Sequence, residues 1–236
     1  MRQLRRSLFR FHVWLGWLVG VPLLLWTISG LVMVVRPIET VRSADLKIDG
    51  PTLPLPGYNP APVLNEMDVE PTVKEIRTFV QRGRPITLVT RLDGSATRFD
   101  AARGWAIPAL DEQEAREVVA KGIVGGKRIV GATLFAAKSV PFDFRRAMPV
   151  WQVRLADGTH VYVGRDTAEI EAVRTRYWRF YDFMWGLHIM DLQTREDTHH
   201  PILIGFTVVA ALASILAILL MIARYAPRRR VKPRTE

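Results

Sequence analysis

The stretch FHVWLGWLVGVPLLLWTISGLVMVV, at residues 11–35, decides the architecture of this chain because its 25 residues carry no formal charge. A helix of that length extends about 37 Å, and a bilayer core requires about 20 apolar residues. A second uncharged run, PILIGFTVVAALASILAILLMIA, occupies residues 201–223. A cleaved signal peptide has a shorter apolar core and a small-residue cleavage site, which does not follow Val35. The sequence therefore predicts two uncleaved transmembrane helices.

The net charge of +10 is concentrated at the two ends of the chain. Residues 1–10 carry four arginines and no acid, whereas residues 224–236 carry six basic residues and one glutamate. Basic clusters at the outer ends of both apolar runs place both termini in the cytoplasm by the positive-inside rule. We therefore predict a bacterial inner-membrane protein with two cytoplasmic basic tails, a periplasmic central domain, lipid contact and no nucleic-acid partner.

The chain contains no cysteine, and this absence excludes several kinds of chemistry. Disulfides, thiolate nucleophiles, iron–sulfur clusters and covalently attached c-type haem all require cysteine. Phosphate-binding loops, glycine-rich dinucleotide motifs and nucleophile elbows do not occur in the sequence either. Any redox role is thereby narrowed to non-covalent haem held by histidine.

The region between the two apolar runs divides into three segments. Six prolines in residues 36–66 indicate an irregular linker. Residues 67–176 contain regular apolar patterns and are predicted to form an α+β domain of antiparallel sheet with helices on one side. Residues 177–200 are rich in aromatic side chains and are interpreted as an interfacial helix and connector before the second transmembrane helix.

Two helices and two hairpins are predicted within the α+β domain. The helices are assigned to residues 71–81 (PTVKEIRTFVQ) and 111–121 from their apolar spacing. The hairpins are assigned to residues 85–100 and 149–166, each of which contains an Asp-Gly turn signal. The turn residues are Asp93-Gly94 and Asp157-Gly158.

The two hairpins align at an offset of 64 residues and indicate a duplicated helix-plus-hairpin unit. One comparison opposes the duplication, because the apolar faces are expected to have opposite parity and a one-residue slip exchanges the faces of a strand. In the first hairpin the expected face contains Ile86, Leu88 and Phe99. In the second it contains Trp151, Val153, Leu155 and Tyr162.

Parts of the sequence resemble the PepSY family. The segment PVWQVRLADGTHVYVGRDTAEIEAV resembles a PepSY domain, with an aromatic-led strand, a glycine turn, a Val-Tyr-Val strand and an acidic turn. Residues 11–35 are similar to the PepSY-associated transmembrane helix, which opens with His, has Gly four residues later and ends near a Ser/Thr-Gly pair. A Leu-His element precedes the second membrane segment of the family. The matching residues are His12, Gly16, Ser29-Gly30 and Leu187-His188. The sequence departs from the family at Ile189, where Gly is frequent.

Four of the five histidines lie near the ends of the apolar runs: His12, His188, His199 and His200. Imidazoles near both membrane faces suit bis-histidine ligation of haem b, with His12 and His188 as candidate iron ligands and His199 or His200 as a second axial ligand. In a homodimer, His12 of each chain would meet its mate. The alternative is that these histidines are ordinary interfacial residues. His160 is interpreted as a surface or sheet-face residue.

The resemblance to the PepSY family implies one function, and an alternative remains open. Some PepSY-associated membrane proteins look like ferric-siderophore reductases, which implies a haem electron-transfer component that supports reduction of an extracytoplasmic iron or siderophore-like acceptor. Two apolar runs, where those reductases resemble four-span proteins, imply a homodimer or a subunit of a larger membrane complex. The alternative is a non-enzymatic, membrane-anchored module that contacts a partner protein or peptidase.

Overall fold

The fold comes from a computed structural model that describes residues 2–48, 53–56 and 72–225, without the side chains of residues 2–9, 11, 12, 220 and 223–225. The chain forms two compact units. The helical unit comprises Met1–Arg36 and Phe180–Glu236, and the sheet unit comprises Pro37–Arg179. The predicted basic tail at 224–236 lies almost wholly outside the described residues.

Two long helices dominate the helical unit. Helix α1 comprises Arg2–Val35 and helix α5 comprises Pro201–Tyr225. Within them, Val13–Val35 and Pro201–Leu219 are long and apolar enough to cross a membrane, and these segments are largely exposed. The two predicted apolar helices are therefore present, while α1 begins well before residue 11 and includes most of the predicted basic tail.

The sheet unit contains two four-stranded antiparallel sheets, each with its strands in sequence order. The first sheet is formed by β1 (Val73–Gln81), β2 (Arg84–Arg91), β3 (Ala96–Asp100) and β4 (Ala106–Ile107). The second is formed by β5 (Ile129–Phe135), β6 (Val150–Leu155), β7 (His160–Gly164) and β8 (Ile170–Arg174). The short helix α2 (Ile38–Val41) precedes the sheets, α3 (Glu112–Gly122) lies between them in sequence, and α4 (Arg176–His188) follows them. Two sheets with helices agree with the predicted α+β class.

Helix α3 confirms the prediction for residues 111–121. The Asp111 carboxylate accepts the Glu114 N–H at 2.7 Å, and the Glu114 side chain accepts the Asp111 N–H, which completes a capping box. Ala115 and Val119 are fully buried on the opposite side of the helix. They pack in one apolar cluster with Val153 and other residues of the second sheet. Helix α3 therefore covers one face of that sheet.

The prediction of a helix at residues 71–81 was wrong, because this segment forms β1. The apolar spacing is compatible with a helix, but β1 pairs along its length with β2. The turn is Arg82-Gly83, and both residues have positive φ, at 53° and 79°. Two consecutive residues in this region form the turn type that suits the twist of a hairpin. Pairing of the backbone with β2 therefore outweighed the helical apolar spacing.

The predicted linker at 36–66 is partly structured. Helix α2 and a helical turn at Ala44–Leu46 occupy its first part. Val41 is 1% exposed, and Lys47 forms a β-bridge with Ile123 at the end of α3. Residues 57–66 lie outside the described residues. The first part of this segment therefore belongs to the packed sheet unit rather than to an irregular connection.

The strand registers support the duplication of the two hairpins. Ile86 pairs with Asp100 in the first sheet, and the residues 64 positions later, Val150 and Gly164, pair in the second. Each first strand also has a register shift at the equivalent place, opposite Thr90 and Arg91 in β1 and opposite Arg154 and Leu155 in β5. The repeated element is therefore a sheet of the same pairing pattern.

The predicted side-chain faces of the two hairpins were wrong, and the turn length explains the error. The Arg91 N–H bonds the Ser95 carbonyl, so the loop has three residues and ends at Gly94 with φ 83°. Phe99 therefore lies opposite Thr87 rather than on the face of Leu88. The second hairpin closes in the same way, and Tyr162 lies opposite Gln152 rather than on the face of Val153. With this pairing the two hairpins have equal parity.

Candidate functional site

His188 packs against α1 within the helical unit. Its imidazole stacks on the Trp26 ring, with centroids 4.6 Å apart and planes inclined by 15°. Its Nδ1 lies 3.1 Å from the Trp26 carbonyl oxygen and 3.2 Å from Ser29 Oγ. Ser29 is fully buried and donates its own proton to the Trp26 carbonyl. The imidazole at the C-terminal end of α4 is therefore held at a defined place on α1.

These contacts determine which ring nitrogen of His188 carries a proton. A carbonyl oxygen only accepts hydrogen bonds, so the contact with Trp26 requires a proton on Nδ1. In the neutral imidazole the lone pair is then on Nε2. Histidines that bind metals commonly have this arrangement, in which the second ring nitrogen donates to a carbonyl or carboxylate. The His188 ring is therefore oriented as a ligand through Nε2.

Gly30 provides the space that the His188 ring occupies. A Cβ atom at this position would lie 3.0 Å from Cε1 and 3.4 Å from Nδ1 of His188. A larger residue would consequently displace the ring from its contact with Trp26. The structure thus brings together Ser29-Gly30 and Leu187-His188, two of the elements that the sequence analysis identified separately.

The other three candidate histidines lie elsewhere. The side chain of His12 is outside the described residues, and its backbone precedes Gly30 by 18 residues of continuous helix, about 27 Å of rise. One iron therefore cannot bind His12 and His188 of the same chain. His199 is exposed, and its Nδ1 lies 3.3 Å from Thr198 Oγ1. His200 precedes α5, and its Nδ1 is buried with no partner among the described residues.

Helix α5 runs antiparallel to α1, and this places His200 near the same end of α1 as His188. His188 contacts α1 at residues 26–30, and α5 begins 13 residues later at Pro201. Farther along, residues 213–217 of α5 line a cavity together with residues 15–20 of α1. The two helices therefore progress in opposite directions, and the start of α5 returns to the C-terminal end of α1.

The loop after His188 is organised by Asp191. Its carboxylate accepts the N–H groups of residues 193, 194, 196 and 197 at 3.0–3.2 Å, and it also accepts the Thr194 hydroxyl. The Thr194 hydroxyl and N–H bonds, followed by the other backbone donors, hold the pKa of Asp191 well below its usual range. Arg195 fastens the same loop to α4 through Asp182 at 2.7 Å. The connection to α5 therefore has a fixed path.

We expect Asp191→Asn to loosen this loop, because an amide cannot accept the same number of N–H groups as a carboxylate. Trypsin should cleave after Arg195 several-fold faster in the variant than in the wild type, as measured by mass spectrometry over time. Asp197→Asn is the matched control, since the Asp197 carboxylate accepts the N–H of His199. Equal cleavage rates in the two variants would show that Asp191 does not organise the loop.

A second polar cluster lies on the second sheet and was not identified from the sequence. Tyr162 is fully buried, donates its hydroxyl proton to Asp143 Oδ1 at 2.5 Å and accepts the Gln152 amide N–H at 2.7 Å. The Asp143 Oδ2 atom is buried and lies 3.4 Å from His160 Nδ1, an ion pair when the imidazole is protonated. His160 is therefore a sheet-face residue beside Tyr162, as predicted.

Burial and hydrogen bonding act in opposite directions on Asp143. Burial raises its pKa, but the contacts with His160 and Tyr162 outweigh burial and hold the pKa below its usual range. Burial, followed by the bond to Asp143, raises the pKa of Tyr162 far above its usual value. Asp143 is thus ionised and Tyr162 is neutral at physiological pH. The pair forms a buried anchor between β7 and the loop that precedes β6.

We expect Asp143→Asn to destabilise the sheet unit at pH 7 by about 1–3 kcal/mol, because the charged acceptor of the Tyr162 hydroxyl is lost. A carboxylate with a lowered folded-state pKa contributes stability above the unfolded value of 3.8, and this contribution is lost as the pH falls below it. The difference between wild type and variant should therefore narrow below pH 4. Urea denaturation at pH 7, 5 and 3 measures it, and a difference that is constant with pH would contradict the assignment.

Among the described residues, no group of three His, Cys, Asp or Glu side chains could hold a metal ion. A haem iron needs only two axial nitrogens, so this observation leaves the histidines near the helix ends as the ones to consider. In the sequence, Asp143 could not be paired with His160, because 17 residues separate them and only the fold of the loop joins them.

The chain matches no protein-family model, no curated protein and no solved structure.

Proposed function

We propose that this protein is a membrane-anchored electron-transfer component with haem b, and that it supports reduction of an extracytoplasmic iron or siderophore-like acceptor. In this proposal α1 and α5 cross the bacterial inner membrane, both termini are cytoplasmic, and the sheet unit is a PepSY-like periplasmic domain. The observation that carries the proposal is the His188 imidazole, whose Nδ1 donates to the Trp26 carbonyl. Haem b would supply one-electron transfer at this site.

The chain's own residues fit one side of such a site. Trp26 orients the His188 ring by stacking, Ser29 lies within hydrogen-bond distance of Nδ1, and Gly30 leaves the ring its space. His200 is the proposed second axial residue, since its Nδ1 is buried with no partner among the described residues and it lies near the same end of α1. His199 is a poorer candidate because it is exposed.

A second copy of the chain completes the proposal. Two helices enclose a flat macrocycle on one side only, whereas four helices surround it. A homodimer would provide four helices, and in that dimer His12 of each chain would meet its mate at the other end of α1. Gly16 and Gly20 face open space on α1, so a neighbouring helix could approach closely there.

Difference spectra test the proposal. The full chain is purified in mild detergent from haem-replete cells, and reduced-minus-oxidised spectra are recorded together with haem and protein quantification. We expect a b-type spectrum with close to stoichiometric haem. A colourless protein that also fails to bind added haem would contradict the proposal and leave the binding-module alternative.

One observation favours that alternative, in which the protein is a non-enzymatic module that binds a partner protein or peptidase. A cavity of about 790 Å³ in the sheet unit is lined by both sheets, α3 and the segment after α2. Ile48, Phe79 and Val118 supply apolar surface, and Lys47 and Lys121 supply positive charge. Cavities of this size commonly bind ligands. Co-purification of one stoichiometric protein with the wild type, and its loss in Phe79→Asp, would support this function.

A further inference from the structure

A second, more polar cavity lies in the sheet unit beside β3. Its volume is about 280 Å³, and its lining includes Arg91, Arg98, Arg165, Asp166, Ser95 and Thr97. Strand β4 pairs only with Arg98 and Phe99, so the first part of β3 is not covered by a neighbouring strand and borders the cavity. Side chains from β2, β3 and the turn after β7 therefore converge on one space.

Arg98 is the most unusual residue of this cavity because its guanidinium is buried without a carboxylate partner. The residue is 6% exposed, and its three hydrogen-bond acceptors in the described structure are neutral oxygens. They are the backbone carbonyls of Asp166 at 3.1 Å and Pro108 at 2.7 Å and the side-chain oxygen of Gln81 at 3.4 Å. Burial lowers the pKa of Arg98, although Glu114 and Asp166 are near enough to oppose the effect. A buried charge is costly unless it is paired.

The other two arginines leave the cavity with an excess of positive charge. Arg91 donates to Thr97 Oγ1 at 2.9 Å, which is a neutral acceptor. Arg165 binds the Asp166 carboxylate through two bonds of 2.8 and 3.1 Å. Three guanidinium groups against one carboxylate give the lining a formal charge of +2. Planar guanidinium groups suit oxyanions because they donate two parallel hydrogen bonds.

We propose that this cavity binds a small multivalent oxyanion of the size of phosphate or sulfate. Arg98 provides the buried positive charge at the base, Arg91 and Arg165 provide donors from two sides, and the hydroxyls of Ser95 and Thr97 provide neutral donors. The cavity is large enough for such an ion with some of its water, and too small for a nucleotide or an extended peptide. This site is independent of the haem proposal, since none of its residues belongs to the helical unit.

Calorimetric titration of the full chain with inorganic phosphate tests the proposal. The protein is placed in nanodiscs of uncharged lipid, in chloride buffer of constant ionic strength, so that lipid phosphate is a constant background. We expect saturable phosphate binding in the wild type and binding weaker by about tenfold or more in Arg91→Gln and Arg165→Gln, because each loses a charged donor. Sulfate should compete, whereas acetate should not.

Controls separate the site from general surface charge and from folding. Arg103→Gln removes an exposed arginine of the sheet unit outside the cavity, and we expect it to bind phosphate as the wild type does. Arg98→Gln is measured with circular dichroism, since the loss of a buried residue can affect folding. Absence of saturable binding, equal weakening in Arg103→Gln, or equal binding of acetate would each overturn the proposal.

Discussion

Replacing His188 with alanine is expected to remove most of the haem from the protein. The imidazole would supply Nε2 to the iron, and its Nδ1 contact with the Trp26 carbonyl, at 3.1 Å, holds the ring in place. Without the ring, neither Trp26 nor Ser29 offers a nitrogen ligand in the same position. The measurement is haem per protein after purification, together with the reduced-minus-oxidised spectrum.

Two further variants make the result specific to the ring and its orientation. Gly30→Val retains His188 but places atoms where the ring lies, 3.0 Å from Cε1 for Cβ alone, so we expect reduced haem or a shifted potential. His160→Ala removes an imidazole from the sheet unit, and we expect the haem content to remain unchanged. Full retention of haem with an unaltered spectrum in His188→Ala would refute the assignment of His188 as a ligand.

Replacing Phe144 with alanine is expected to lower the free energy of unfolding of the sheet unit by about 3–5 kcal/mol. Phe144 is 1% exposed and stacks on Tyr162 with ring centroids 4.8 Å apart. Val150 and Ala172 complete the same buried cluster on the face of the second sheet away from α3. The substitution therefore leaves a cavity beneath the Tyr162 ring and weakens the position of Asp143.

Phe142→Ala is the matched control for this prediction, because Phe142 belongs to the same loop and is 49% exposed. It contacts the Arg145 guanidinium, 5.1 Å from its ring centroid, so its removal should cost about 1 kcal/mol or less. Urea denaturation of the full chain in detergent, followed by circular dichroism, measures both variants. Similar losses for the two substitutions would show that the loop is not the cover of this sheet face.

Local sequence signals predicted much of the sheet unit, and non-local pairing explains the errors. The Asp-Gly turns located both hairpins, and Asp111 with Glu114 located the start of α3, since turns and caps depend on a few adjacent residues. The segment at 71–81 was assigned incorrectly because its apolar spacing fits a helix, whereas pairing with β2 made it a strand. The faces of the hairpins were assigned incorrectly because a three-residue loop changes the parity of cross-strand pairs.

Residues of the candidate sites differ in the same way. The sequence identified His188 and Ser29-Gly30 separately, but the 159 positions between Ser29 and His188 conceal their contact. It also did not indicate which imidazole nitrogen carries the proton, since that depends on the carbonyl of Trp26. Asp143, Arg98 and Arg165 carried no recognisable motif, and their roles arise from loops and turns that bring them beside strands.

By itself, the sequence determined the two long apolar helices, the concentration of positive charge at the chain ends, the absence of cysteine chemistry and the positions of both hairpins. Each of these properties depends on composition or on residues adjacent in the chain. The tertiary structure alone decided that β1 is a strand, that His188 lies on Trp26, and that a buried Arg98 faces a polar cavity. These properties depend on contacts between residues distant in sequence, whose free energy is gained only when the chain packs.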